Sequence, residues 1–210
     1  MAAIDWPAWL RDFNRELLDR LDLDEASAFR DPRVTRELVA TGWLGSPGAD
    51  ESRIAVAEAR LRVELPPSYR SFLAASDGFL QPDLLVPRLR AADEIAWYAD
   101  DPDSAAIWAE SAEPGDPLAR LAGCLQVSDV ELVGTAVYLL DPASRGPDGE
   151  WEAYVLAHWI PGVDRYPSFM HLMQAQRRMH VDRPSQDELG PRPAPSAWRV
   201  LWDALRNRPS

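Results

Sequence analysis

The chain has 210 residues, enough for one domain with extensions, and 46% of them are hydrophobic, an ordinary share for a buried core. Its formal net charge is −12 and its pI near 4.7, which argues against nucleic acid and anionic membrane as partners, since both repel an acidic surface. All 22 basic residues are arginine, a usage that suggests a GC-rich bacterial coding sequence, and the one cysteine, Cys124, excludes an internal disulfide and a cysteine-based zinc site.

Residues 5–21 read as a helix capped by Asp5, with Pro7 in its first turn and Leu10, Phe13, Leu17 and Leu21 on one stripe. Asp31-Pro32 opens a second helix that ends at Gly42. Asp50 caps a third, whose Ile54, Ala57, Glu58 and Leu61 recur at helical spacing. Glu58 on that mostly apolar face reads as a structural carboxylate that bonds a neighbouring backbone group or an arginine. Leu65 before Pro66-Pro67 must leave the helical region, and the prolines suit the start of a fourth helix. Tyr69, Phe72 and Leu73 form its stripe, and Gly78 after Asp77 reads as its stop.

After Gly78 the period changes. Residues 84–89 read as a short strand, with Pro87 favouring an edge. Residues 91–119 then hold eight acidic residues and no arginine, with Trp97, Tyr98 and Trp108 interleaved. Two short helices are expected there, at 92–98 and 103–111, on a long excursion between strands. Strands follow at 121–127, 135–140 and 151–159, the last two as a hairpin around a glycine- and proline-containing turn at 144–150. Gly162 to Pro167 reads as a loop, and Ser168 caps a helix through His180 with Phe169, Leu172, Met173, Gln176 and Met179 on its stripe. Residues 181–195 carry four prolines and mixed charge and read as a linker. Ser196 then caps a final amphipathic helix bearing Trp198, Leu201, Trp202 and Leu205. The domain reading is a helical extension over 1–42, an α+β domain over 43–180, a linker over 181–195 and a C-terminal helix over 196–210.

The ordered set Trp43-Leu44-Gly45, Pro47-Gly48-Ala49, Ile54, Ala57-Glu58, Leu61, Leu65-Pro66-Pro67-Ser68-Tyr69-Arg70, Phe72-Leu73 and Asp77-Gly78 resembles the SUKH superfamily. That group includes the fungal cell-wall-assembly regulators linked to killer-toxin resistance. The resemblance is strongest over residues 43–80 and weaker through about residue 175. It departs from the family at Arg62, where glycine is frequent, and at Asp77, where asparagine is frequent. It is carried further by strand, Asp141-Pro142, loop, then Trp151 opening the next strand. The expected fold is α+β: helices, a central antiparallel or mixed sheet of about four to six strands, then a helix.

Local motifs for chemistry are missing from the sequence. His171 and His180 share a helix but lie about 900° apart at ~100° per residue, on opposite faces. His158 stands at a strand end. No phosphate loop, nucleophile elbow or zinc spacing is present. Asp100-Asp101-Pro102-Asp103 lacks the glycine and terminal glutamate of a calcium loop. The expectation is therefore no catalytic, metal or cofactor residues and no enzymatic activity. No basic-plus-apolar leader opens the sequence and no apolar run nears the ~20 residues of a membrane span, so the expected location is cytoplasmic.

What the resemblance implies is a protein-binding protein. Many bacterial members look like immunity proteins that neutralise a toxin, often a nuclease, by occluding its basic active-site surface. The candidate contact residues are Asp93, Glu94, Trp97, Tyr98, Asp100, Asp101, Asp103, Trp108 and Glu110, with carboxylates for steering and aromatics as anchors. Two other readings stand beside it: a scaffold or regulatory binding protein, as the fungal relatives suggest, and a hydrolase whose distant carboxylates leave no local motif.

Overall fold

In a computed structural model the chain is α+β. The structure describes residues 4–19, 21, 33–80, 86, 88–100, 117–129, 136–157 and 163–181. Helices α1 (Trp6–Asp19), α2 (Arg36–Ala40), α3 (Glu51–Leu61) and α4 (Pro67–Ala75) come first. A two-stranded ladder follows, β1 (Phe79–Leu80) with β2 (Arg88–Leu89). The main sheet is an antiparallel meander in chain order, β3 (Ala96–Trp97), β4 (Leu125–Gln126), β5 (Val137–Asp141), β6 (Glu152–Leu156) and β7 (Asp164–Tyr166). Helix α5 (Phe169–Val181) closes one face.

The N-terminal helix is built into the core. Asp5 accepts the Ala8 N–H at 3.0 Å and starts α1. Trp6, Leu10, Phe13 and Leu17 are then buried along one stripe. The Trp6 ring meets Phe72 of α4 edge-on at 5.5 Å and Phe169 of α5 at 5.8 Å, and its indole N–H donates to Ser71 at 3.0 Å. Buried Asn14 uses both ends of its amide, donating to Gly42 O at 2.8 Å and accepting from Leu44 N at 2.9 Å. Trp6, Leu10, Phe13, Leu17 and Val34 thus join the same core cluster as residues 43–80. Helix α2 starts after Thr35, which caps Leu38 N; Asp31-Pro32 lies outside the described residues.

In α3 and α4 the sequence pattern and the packing agree. Asp50 accepts the Arg53 N–H at 2.8 Å, and Ile54, Ala57 and Leu61 are buried. Glu58 accepts the Leu65 N–H at 2.9 Å and the Arg70 Nε at 3.2 Å, so its carboxylate closes the turn between the helices. Pro66 has no side chain with which to cap α4. Glu150, from the β5–β6 turn, accepts Ser68 N at 2.9 Å and Ser68 Oγ at 2.7 Å in its place. Helix α4 stops earlier than Gly78: Ser76 is already extended, and Gly78, at φ +96°, turns the chain into β1. The Ser76 hydroxyl donates to Gly78 O at 2.6 Å and binds that turn to the helix end.

The hairpin of β5 and β6 is as expected, with Leu139 opposite Tyr154. Both faces of these strands are covered, which is why they read as continuous apolar runs. Tyr138, Leu140, Ala153 and Val155 join the helix-side core, whereas Val137, Leu139, Tyr154 and Leu156 form a second cluster with Tyr98, Leu121 and Cys124. Further expectations are corrected: of the strand expected at 84–89, the described residues show only Arg88–Leu89 paired, as β2. Residues 92–98 are a turn, strand β3 and the start of a 3-10 turn, because Ala96 and Trp97 pair with β4 and Tyr98 N donates to Cys124 O at 2.9 Å. The 121–127 strand shrinks to β4, preceded by a 3-10 turn over Pro117–Gly123. The loop at 162–167 contains β7, a polar edge strand whose Asp164 and Arg165 are exposed and so carry no apolar signature. In α5, Met179 is exposed, while Phe169, Leu172, Met173 and Gln176 are buried as expected. The helix expected at 103–111, the linker beyond Val181 and the helix at 196–210 lie outside the described residues.

Two substitutions test this packing. A Cβ on Gly48 would stand 2.0 Å from the backbone oxygen of Ala74. Gly48→Ala is expected to cost about 3 kcal/mol in urea unfolding, since main chain must shift to admit it. Arg62 caps α3 with φ +57° and ψ +36°, the one non-glycine with positive φ among the described residues. Arg62→Gly is expected to stabilise the protein by about 1 kcal/mol, because only glycine takes this conformation without steric cost.

Candidate partner-binding surface

The described part of the acidic segment lies against α3. Arg53 and Arg60 are seven residues apart and therefore share one helix face. Arg60 donates to the carbonyls of Ala92 (3.2 Å) and Ile95 (2.8 Å). Arg53 reaches Asp77 at 2.7 Å with Nε and Asp93 at 2.9 Å with Nη2. Asp77, only 8% exposed, also accepts the buried Ala92 N–H at 2.7 Å. The turn at 91–95 is thereby held by two arginines and one buried carboxylate, with Ala92 and Ile95 fully inside.

The carboxylates singled out from the sequence have local partners. Asp93 is exposed and pairs with Arg53. Glu94 accepts the Ala91 N–H at 2.9 Å and pairs with Arg88. Asp100 accepts the Trp97 N–H at 3.1 Å. Its neighbours Ala96 and Tyr98 face β4, so this bond covers an outward donor of an edge strand. The aromatics divide. Trp97 is half-buried against the helix-side core. Tyr98 is 2% exposed and belongs to the opposite cluster, so its ring is packing and is withdrawn from the contact surface. Asp101, Asp103, Trp108 and Glu110 lie outside the described residues, as do His158 and the strand end that carries it.

Beside this turn, a cleft of about 620 Å³ opens between residues 46–50, 77–80 and 88–94. Its charged lining is Arg33, Asp50, Arg53, Asp77, Arg88, Asp93 and Glu94. Two of these arginines also reach Asp129, Arg88 at 2.7 Å and Arg33 at 3.5 Å, and Arg90 joins them at 3.0 Å. Burial alone would raise the Asp129 carboxyl, but hydrogen bonds from Arg88 and Arg90 outweigh it and hold it below the usual range.

A second polar group lies across the sheet. The Tyr154 hydroxyl is 2.9 Å from Asp141 and 3.0 Å from Glu152, with Arg120 at 3.3 Å from Asp141 and Arg165 at 2.6 Å from Glu152. Burial first, then the two carboxylates, push the Tyr154 phenol far up. Burial likewise raises the Cys124 thiol, so it stays protonated and unreactive at neutral pH. The Ser168 hydroxyl faces His171 Nδ1 at 2.8 Å, and His180 faces the Glu16 carbonyl at 3.2 Å. Among the described residues no group of three or more His, Cys, Asp or Glu is placed to hold a metal ion. No described helix is long and apolar enough to cross a membrane.

Sequence reasoning missed Arg53, Arg60 and Glu150. The legible signal was the heptad spacing of two arginines beside the buried stripe of α3, with an acidic turn available elsewhere to receive them. For Glu150 no local signal exists, since its partner Ser68 is 82 residues away. No family model matches the chain, and no curated protein does.

The Asp129 cluster makes a pH prediction. Its folded pKa is depressed, so its contribution to stability is full above the unfolded value of ~3.9 and is lost as pH falls through the folded one. In urea melts from pH 7 to pH 2, Asp129→Asn should be less stable than the parent at neutral pH, and the gap should close below about pH 4. A gap of constant size would mean that the charge of Asp129 contributes nothing.

Proposed function

We propose that this chain is a protein-binding protein of the SUKH kind, acting as an immunity protein that occludes the basic surface of a bacterial toxin. The observation that carries the reading is the excess of acid between β3 and β4. Residues 101–116 hold Asp101, Asp103, Glu110, Glu113 and Asp116, Trp108 among them, and no arginine. Both flanks of that segment are anchored at one edge of the sheet: Tyr98 and Leu121 are buried together and Tyr98 N bonds Cys124 O. The nearby acids Asp93, Glu94 and Asp100 are engaged within the chain. The steering charge is accordingly assigned to Asp101, Asp103 and Glu110 and the anchor to Trp108.

Three features support the family reading. Arg62, at the position where the family often has glycine, adopts the left-handed conformation that glycine favours. Asp77, where the family often has asparagine, uses its side-chain oxygen to accept a backbone N–H, which an asparagine does equally well. Gly48 lies so close to α4 that no side chain fits.

The test begins with the tagged protein captured from lysate of its own host at low and high salt, and a captured partner is then made pure. The expected partner is one basic protein whose toxicity in cells is abolished by co-expression of this chain. Neutralising Asp101, Asp103 and Glu110 together should slow association at low salt by about tenfold and far less at high salt. Trp108→Ala should weaken the complex by about 2 kcal/mol through faster dissociation. A partner bound without protection of cells would move the assignment to a scaffold. Unchanged association by the triple variant would remove the segment from the interface.

A further inference from the structure

We draw no further inference here: the strongest candidate, the charged cleft between residues 46–50, 77–80 and 88–94, has each of its acidic and arginine side chains already engaged within the chain, and nothing in the structure shows what would occupy it.

Discussion

The carboxylate of Asp77 holds together three parts of the chain that are far apart in sequence. It lies just past the end of α4, accepts the N–H of Ala92 at the entry to the main sheet, and receives Arg53 from the first turns of α3. The backbone around it is equally committed: Asp77 N donates to Pro47 O, and Ala49 N donates to Leu73 O. The loop at 45–49 must therefore lie directly on the end of α4; Gly48 is the residue that lets main chain approach so closely, and Gly45 leaves room for the side chains of Trp43 and Ser76. Losing the carboxylate would leave the Ala92 N–H buried without an acceptor, a cost of roughly 1–3 kcal/mol. The exposed Arg53–Asp93 pair beside it contributes at most about 1 kcal/mol. The buried bond fixes the fold, and the outer pair sets the orientation of one side chain.

Around that junction the chain buries two unequal cores. The larger lies between the sheet and α1, α4 and α5, where Trp6, Tyr69, Phe72 and Phe169 interlock at 4.8–5.9 Å. The smaller lies on the opposite face and is sealed by Tyr98, Leu121 and Cys124. The acidic segment leaves the sheet after Tyr98 and Asp100 and re-enters it through Leu121 and Cys124, so its two ends are fixed by burial whatever lies between. Tyr98 before it and Leu121 and Cys124 after it pack into the smaller core, and Trp97 packs partly against the larger one.

Helical periodicity was the most legible feature of the sequence. Asp50, the Ile54-Ala57-Leu61 stripe, Pro66-Pro67 and the Tyr69-Phe72-Leu73 stripe all stand where their local chemistry places them. Strands were legible where they are long and buried on both faces, as in β5 and β6. Of those where pairing spans two or three residues, β2 and β4 fall inside longer expected strands, whereas β3 and β7 were not legible. Ala96-Trp97 is too short to show a period of two, and its strand character comes from β4, some 28 residues onward. Asp164-Arg165-Tyr166 is polar because it is an edge, and composition cannot separate an edge strand from a loop. The acids at 93, 94 and 100 were read as free charge because a count of carboxylates does not show their partners: Arg53, 40 residues away, for Asp93, and the nearby Arg88 and Trp97 N–H for Glu94 and Asp100.

That last point governs how charge bears on recognition. A count of carboxylates overstates the field of a surface when arginines lie within 3 Å of them. Asp93, Glu94 and Asp129 are each compensated in this way, and the region around the cleft is close to neutral at a distance of a Debye length. Net charge acts at long range only where it is uncompensated. With a chain total of −12, the excess must be carried by other stretches, and residues 101–116 combine five acids with no arginine of their own. A paired carboxylate would have to give up its arginine before it could receive a partner's cation, whereas an unpaired one gives up only water. For the basic partner proposed, the physical distinction that matters is therefore between acids already paired within the chain, as Asp93, Glu94 and Asp129 are, and acids that are not.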